Sequence, residues 1–213
     1  MRLKHKPWAQ DKITEHPSLI TTDGTKLKSQ WQSLFANENP IHLEIGTGKG
    51  QFIIGLAKRY PEKNFIGLEL QSSAIIYALE KQLAEPLPNL HLLNGNAKEL
   101  TEYFAPGEIA QILLTFSDPW PKTKHAKRRL THKRFLKLYE EILLPEGELF
   151  FKTDNQELFE FSLTSVSQYG MRLEEVILDL HQSEFAEHNI MTEFEEKFSE
   201  KGFRIHQLRA TFK

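Results

Sequence analysis

Between residues 41 and 170, short apolar runs alternate with stretches in which apolar residues recur at helical spacing. Ile41–Ile45 is a compact apolar run with strand character, and the glycines of Gly46–Gly50 end it. Phe52, Ile53, Leu56 and Ala57 then fall on one helical face, which predicts a helix over Gln51–Arg59. The same alternation predicts strands at Asn64–Leu70, Asn89–Leu93, Gln111–Ser117 and Glu148–Thr153. Helices are predicted at Ser72–Ala84, with Ser72 or Ser73 as cap, at Thr131–Leu143 and at Leu158–Tyr169. Leu173–Leu180 and Arg204–Phe212 read as late strands without a clear helix between them. The first 40 residues, with Pro7, Pro17 and Gly24, look like an arm with a helix within Leu27–Phe35, so the chain divides into an arm at 1–40 and a domain at 41–213.

Strand alternating with helix implies an α/β, Rossmann-like fold: a mostly parallel twisted sheet of about seven strands, covered by helices on both faces. In such sheets ligands bind beyond the carboxyl ends of the strands. Candidate chemistry should therefore follow Ile45, Leu70, Leu93, Ser117 and Lys152.

Composition narrows the class. The 213 residues contain no cysteine, which excludes disulfides, thiolate metal sites and cysteine nucleophiles. No apolar run approaches the roughly 20 residues of a membrane span, so a cytoplasmic protein without a membrane partner is expected. The nine histidines form no pair with metal-ligand spacing, and no metal site is expected. Net charge is −2, yet Lys122–Lys137 holds eight Lys or Arg residues and no acid. A cationic block on a near-neutral chain points to an anionic partner, and Lys124, Lys127, Arg128 and Arg129 are candidates for gripping phosphates. Arg2, Lys4, His5, Lys6 and Trp8 form a second basic–aromatic cluster, either an arm that orders on nucleic acid or a tail with no role.

The turn Glu44-Ile-Gly46-Thr-Gly48-Lys-Gly50 lets the backbone approach a ligand closely. Its glycine spacing differs from the dinucleotide fingerprint, and Glu44 would repel a pyrophosphate at the mouth of the site. A carboxylate there favours S-adenosylmethionine, which carries an ammonium and a sulfonium and no phosphate. Glu69, ending the second strand, can accept hydrogen bonds from ribose hydroxyls. After the third strand, the side chain of Asn96 and the backbone at Asn96–Ala97 are placed to meet adenine.

Phe116-Ser-Asp118-Pro-Trp120-Pro-Lys122 is the most informative stretch. Two prolines stiffen the loop around an acid, an aromatic and a lysine. That set suits a pocket for a flipped base, the alternative being that Trp120 packs on the core. Together with Lys127-Arg-Arg-Leu, Lys152-Thr-Asp154-Asn and Asn189-Ile-Met-Thr192-Glu-Phe-Glu195, it resembles the bacterial tRNA (guanine-N7)-methyltransferase family over nearly the whole chain.

The resemblance implies a class I methyltransferase fold and methyl transfer from S-adenosylmethionine to N7 of guanine 46 in the tRNA variable loop, leaving S-adenosylhomocysteine. It implies cofactor contacts from Glu44, Glu69, position 96 and Asp118, beside the turn glycines Gly46 and Gly48. It implies substrate contacts from Lys122, Asp154, Thr192 and Glu195, with Lys124–Arg129 touching RNA. The chain departs at position 96, where Asn96 stands for the family's frequent Asp; cofactor binding is expected to survive. Thr192 and Glu195 also have capping-box spacing.

Guanine N7 is a neutral nucleophile with an in-plane lone pair, so alignment and electrostatics matter more than a base. Asp118 is the candidate group facing the developing charge, with Asp154 second. A monomer or homodimer without an obligate protein partner is expected. Three other readings stay open: methylation of another base position or amine, a nicotinamide oxidoreductase, and a non-catalytic RNA-binding module.

Overall fold

The computed structural model describes residues 6–212. The helices are α1 (Ala9–Thr14), α2 (Gln51–Arg59), α3 (Ser72–Ala84), α4 (Leu100–Tyr103), α5 (Lys133–Ile142), α6 (Gln156–Tyr169) and α7 (Glu193–Ser199). The strands are β1 (Ile20–Thr21), β2 (Ile41–Ile45), β3 (Asn64–Glu69), β4 (Leu90–Asn94), β5 (Ile109–Thr115), β6 (Leu143–Thr153), β7 (Arg172–Ile177) and β8 (His206–Thr211). They form one eight-stranded sheet in the order β1-β4-β3-β2-β5-β6-β8-β7. Pairing is parallel from β1 through β6, and β8 runs antiparallel between β6 and β7. Among the described residues no helix is long and apolar enough to cross a membrane.

Every residue of β2 is buried, as expected of a central parallel strand with helices on both faces. Alternate residues of the neighbouring strands divide between two cores. Phe65, Leu90 and Leu92 face α1, α2 and α3, packing with Ile53, Ile76 and Leu79. Ile66, Leu68 and Leu93 face the other side, with Phe135, Tyr139, Phe159 and Val166 of α5 and α6.

Residues 6–35 are more tightly built in than an arm. Ile20 and Thr21 pair with Leu92 and Leu93 as an edge strand, and α1 lies against α3. The helix expected within Leu27–Phe35 is two 3-10 turns, Gly24–Leu27 and Trp31–Leu34, separated by Ser29 at φ 65°. Tertiary packing decides this: Trp31 is fully buried, stacks on Phe104 and donates from Nε1 to the Tyr103 carbonyl at 2.8 Å. Neither Ser72 nor Ser73 caps α3; Ser73 Oγ instead accepts the Lys6 amide at 3.0 Å. Of the amino-terminal basic cluster, Arg2, Lys4 and His5 lie outside the described residues, whereas the Lys6 ammonium sits 3.7 Å from the Tyr77 ring centre. The late strands are shorter than expected, ending at Ile177 and starting at His206.

Two imidazoles are built into the sheet. His42 meets Gln111 at 2.9 Å, and His91 meets the Thr21 hydroxyl at 2.8 Å. Burial lowers both from 6.5 to about 4. A depressed folded value means that neutral histidine favours the fold, so this contribution is whole above pH 6.5 and is lost as pH falls toward 4. Melting temperature is predicted to fall across that window, with a shallower slope in the His42→Gln/His91→Gln variant. Equal slopes in differential scanning calorimetry would refute the assignment.

Candidate active site

The glycine turn leaves β2 over the end of β3: the amides of Gly46 and Thr47 both donate to the Leu68 carbonyl, at 2.8 and 3.0 Å. Gly46, Gly48 and Gly50 all have positive φ. At Gly50, the residue before α2, a Cβ would come 2.6 Å from the Ala78 Cβ, so that glycine is needed for helix packing. At Gly46 and Gly48 a Cβ would meet nothing closer than 4.0 Å, so these two face open space. They form a cradle that a ligand can enter.

Glu44 lies beneath this cradle rather than at its mouth. It is 1% exposed, and its two oxygens accept from the Thr47 hydroxyl at 2.5 Å and the Thr115 hydroxyl at 2.7 Å. Burial pushes its carboxyl up, opposed by those two hydroxyls and by the charge of Lys152. Glu44 therefore ties the turn to β5. Glu69 is the carboxylate that borders the cradle: Oε2 accepts the Gly48 amide at 3.1 Å and Oε1 the Gln71 amide at 2.9 Å. Its carboxyl is raised by burial and further by the charge of Asp118, against three backbone amides. Glu69 thus borders the open glycines, and Asp118, three residues beyond β5, lies near enough for its charge to be felt there.

Asn96 is partly committed to the protein. Its Oδ1 accepts the Lys98 amide at 3.1 Å and its own amide donates to the Tyr103 hydroxyl at 3.2 Å. The backbone donor expected to meet adenine is thus engaged at position 96. Ala97 opens the 3-10 turn that follows, and Asn96 Nδ2 makes no hydrogen bond among the described residues.

The loop after β5 is strained at both ends, with Phe116 at φ 49° and Trp120 at φ 43°. A non-glycine residue in the left-handed region costs about 1–3 kcal/mol, and Trp120 also precedes a proline, which normally demands extended backbone. Arg129 holds the loop there. Its Nε donates to the Pro119 carbonyl at 2.9 Å, its Nη2 to the Trp120 carbonyl at 3.2 Å, and its guanidinium lies 4.4 Å from the Phe161 ring centre. Two of the five guanidinium donors of Arg129, expected to grip phosphate, are thus used internally, and Nη1 makes no hydrogen bond among the described residues. Arg128 lies over the Trp120 ring at 4.8 Å, and His125 meets that ring edge-on. Asp118, Lys122, Lys124, Lys127 and Arg128 are exposed.

Asp154 is half-buried just beyond β6, and burial raises its carboxyl. Thr192 caps α7 by accepting the Glu195 amide at 3.0 Å. The reciprocal half of a capping box is absent, because Glu195 turns inward. It is fully buried against Lys152, also fully buried, at 2.6 Å, and takes further contacts from His181 at 2.8 Å and from the Asn189 amide. Glu195 as a directly exposed substrate contact is therefore not what the fold presents.

A family described as "Putative methyltransferase" matches residues 38–208. The tRNA (guanine-N(7)-)-methyltransferase of Limosilactobacillus reuteri (strain DSM 20016) is 56% identical over 213 residues, covering 100% of both chains. That of Geobacillus sp. (strain WCH70) is 55% identical over 212 residues, covering 100% of this chain and 96% of its own. The chain belongs to the tRNA (guanine-N7)-methyltransferase family. Solved methyltransferases share the fold at low identity. A structure described as an antibiotic-related methyltransferase superposes with a TM-score of 0.62 at 17% identity, covering 88% of this chain and 96% of its own. The 16S rRNA methyltransferase KamB gives 0.60 at 14% identity, covering 86% and 93%.

In this methyltransferase, sequence reasoning missed Lys152, Thr47 and Thr115 as parts of the site. Lys152 carried a signal: a lone lysine at the end of the apolar run Leu149–Phe151. The threonine hydroxyls carried none. Arg129→Ala is predicted to lower unfolding free energy by about 2 kcal/mol, the scale of charge-assisted hydrogen bonds. Lys124→Ala and Lys127→Ala, at exposed positions, should stay within about 0.5 kcal/mol of the parent. Urea titrations of the three variants check the contrast, and an equal loss in all three would refute it.

Proposed function

We propose that the chain transfers the methyl group of S-adenosylmethionine to N7 of guanine 46 in the variable loop of tRNA. The observation that carries this reading is the open cradle of Gly46 and Gly48, bordered by Glu69 within reach of the Asp118 charge, with an exposed basic face beginning four residues after Asp118. The family relatives at 55–56% identity supply the substrate.

The donor set fits the cofactor. Glu69 would take the ribose hydroxyls, Asn96 and Ala97 the adenine, and the turn glycines leave space for the methionine portion. S-adenosylmethionine supplies the electrophilic methyl when bound. Two neighbouring carboxylates, one with its carboxyl raised by burial and by the other's charge, are an environment that a cationic ligand relieves.

Guanine N7 attacks through its in-plane lone pair and needs no deprotonation. The positive charge relinquished by the sulfonium appears on the purine imidazole ring. Asp118, exposed on a loop fixed by Arg129 and two prolines, faces that charge without reorganising. Lys122, Lys124, Lys127 and Arg128 provide the phosphate contacts, and Asp154 and Thr192 border the base. The reading requires no protein partner and no metal, and it is compatible with a cytoplasmic monomer or homodimer.

Unmodified tRNA incubated with methyl-labelled cofactor should gain label at N7 of guanine 46; label elsewhere would replace the substrate assignment. Asp118→Asn should lower turnover by about 10²–10³-fold, the scale of one preorganised electrostatic group, and cofactor affinity by calorimetry far less. Near-normal turnover would sink the role of Asp118. Affinity for tRNA should fall steeply with salt, and less steeply in the Lys124→Ala/Lys127→Ala variant.

A further inference from the structure

Glu195 is the only buried residue of α7. The helix sends no apolar stripe into the core, and Phe194 on its outer side is 55% exposed. Its position rests on polar contacts to the edge of the site. Glu193 pairs with Lys49 of the glycine turn at 2.6 Å, Glu196 accepts from Gln51 at 2.9 Å, and Glu195 pairs with Lys152 at 2.6 Å.

Of these three links only the last is out of water. Lys152 Nζ also donates to Asn189 Oδ1 at 2.8 Å and to the Ile190 carbonyl at 3.0 Å. Its ammonium lies 4.8 Å from the Phe52 ring centre and 5.9 Å from that of Phe116. The Lys152 carbonyl accepts the Phe116 amide at 2.9 Å, and Phe116 opens the strained Asp118 loop. One residue thus holds the base of the Asp118 loop by its backbone and the 189–195 segment by its side chain. Burial lowers the Lys152 ammonium, and the neighbouring Glu195 carboxylate opposes this most strongly. A buried ion pair is seldom the cheapest way to hold a fold together, since an apolar pair of similar volume often does as well. What an apolar pair cannot supply is the set of directional bonds to Asn189, Ile190 and His181.

We propose that Lys152 is a positioning residue whose buried pair with Glu195 latches the 189–199 segment across the carboxyl ends of β2 and β6 and so fixes Thr192 relative to Asp118. The inference rests on the tRNA methylation reading for its activity arm only. The Lys152 and Glu195 side chains make no hydrogen bond or ion pair with Gly46, Gly48 or Glu69 and reach the glycine turn only through the charge of Glu44 and, by way of α7, the Glu193–Lys49 pair, so loosening the latch lowers cofactor affinity far less than turnover.

The test compares Lys152→Met, the double variant Lys152→Met/Glu195→Met and Asn189→Ala in the full chain. Lys152→Met leaves a buried carboxylate unpaired and should lower melting temperature, and the double variant should recover most of that loss. The latch predicts that kcat/KM for tRNA stays depressed in the double variant by on the order of 10²-fold, the scale of an ångström-level misplacement. S-adenosylmethionine affinity should fall far less, and hydrogen exchange across 180–199 should stay fast. Recovery of methyl transfer together with melting temperature would overturn the proposal and leave a purely structural pair. If the double variant does not fold, Asn189→Ala decides: it keeps the Lys152–Glu195 pair, should lower melting temperature less than Lys152→Met while losing tRNA turnover, and full turnover overturns the latch. A parent chain that methylates no tRNA would remove the function reading, while the exchange measurement would still judge the latch.

Discussion

Desolvation at the carboxyl edge of the sheet governs how this site is built. Glu44, Lys152 and Glu195 have all been taken out of water there, and each could remain only where neighbours supply the missing solvation. Glu44 takes two threonine hydroxyls, one from the glycine turn and one from β5. Lys152 takes a carboxylate, an amide oxygen and a backbone carbonyl. Because those partners come from different segments, satisfying the buried groups also fixes the segments to one another. The turn, the Asp118 loop and α7 inherit their relative placement from this requirement.

The exposed part of the site works on the opposite principle. Asp118 and Glu69 remain near enough to repel one another, and the space before Gly46 and Gly48 stays open. Below the surface every charge is answered, and at the surface two carboxylates are left for a cationic ligand to answer. Strain follows the same division. The left-handed Phe116 and Trp120 sit on the loop that presents Asp118; Arg129, with the Phe161 ring behind it, holds Trp120, and the Lys152 carbonyl holds the Phe116 amide.

Much of this was legible in the residues. The alternating pattern gave β2, β3 and β4 to within a residue of their ends, because strands buried on both faces are continuously apolar, whereas β6 begins five residues before the expected Glu148, in a stretch exposed at Leu144, Pro145 and Glu146. The rule that ligands sit at strand carboxyl ends pointed to Glu69 and Asp118, whose charges the fold brings within reach of one another. Glu44 was expected exposed at the mouth of the site and is buried between the turn and β5, since spacing along the chain does not say whether a strand-end acid points up or down. Arg129 was one cation among eight, and only the fold distinguishes the arginine that turns inward to backbone carbonyls from Arg128 beside it. The amino-terminal segment read as an arm because its contacts, Trp31 with Phe104 and Ile20 with Leu92, join residues distant in sequence. The Lys152–Glu195 pair is hidden for the same reason, although a capping-box pattern at Thr192 pointed to the right residue for another purpose.

The placement of β8 has a consequence for how the molecule is made. β6 carries Lys152 and ends beside the site, yet one of its two edges is closed only by β8, which follows the whole of β7 and α7 in the chain. During synthesis that edge stays unpaired from the time Thr153 emerges until His206–Thr211 have followed. An unpaired central strand is a template for the wrong partner. The nascent chain therefore has its greatest exposure to misassembly late, when most of the sheet already exists, and the last strand to arrive completes the interior of the sheet rather than its rim.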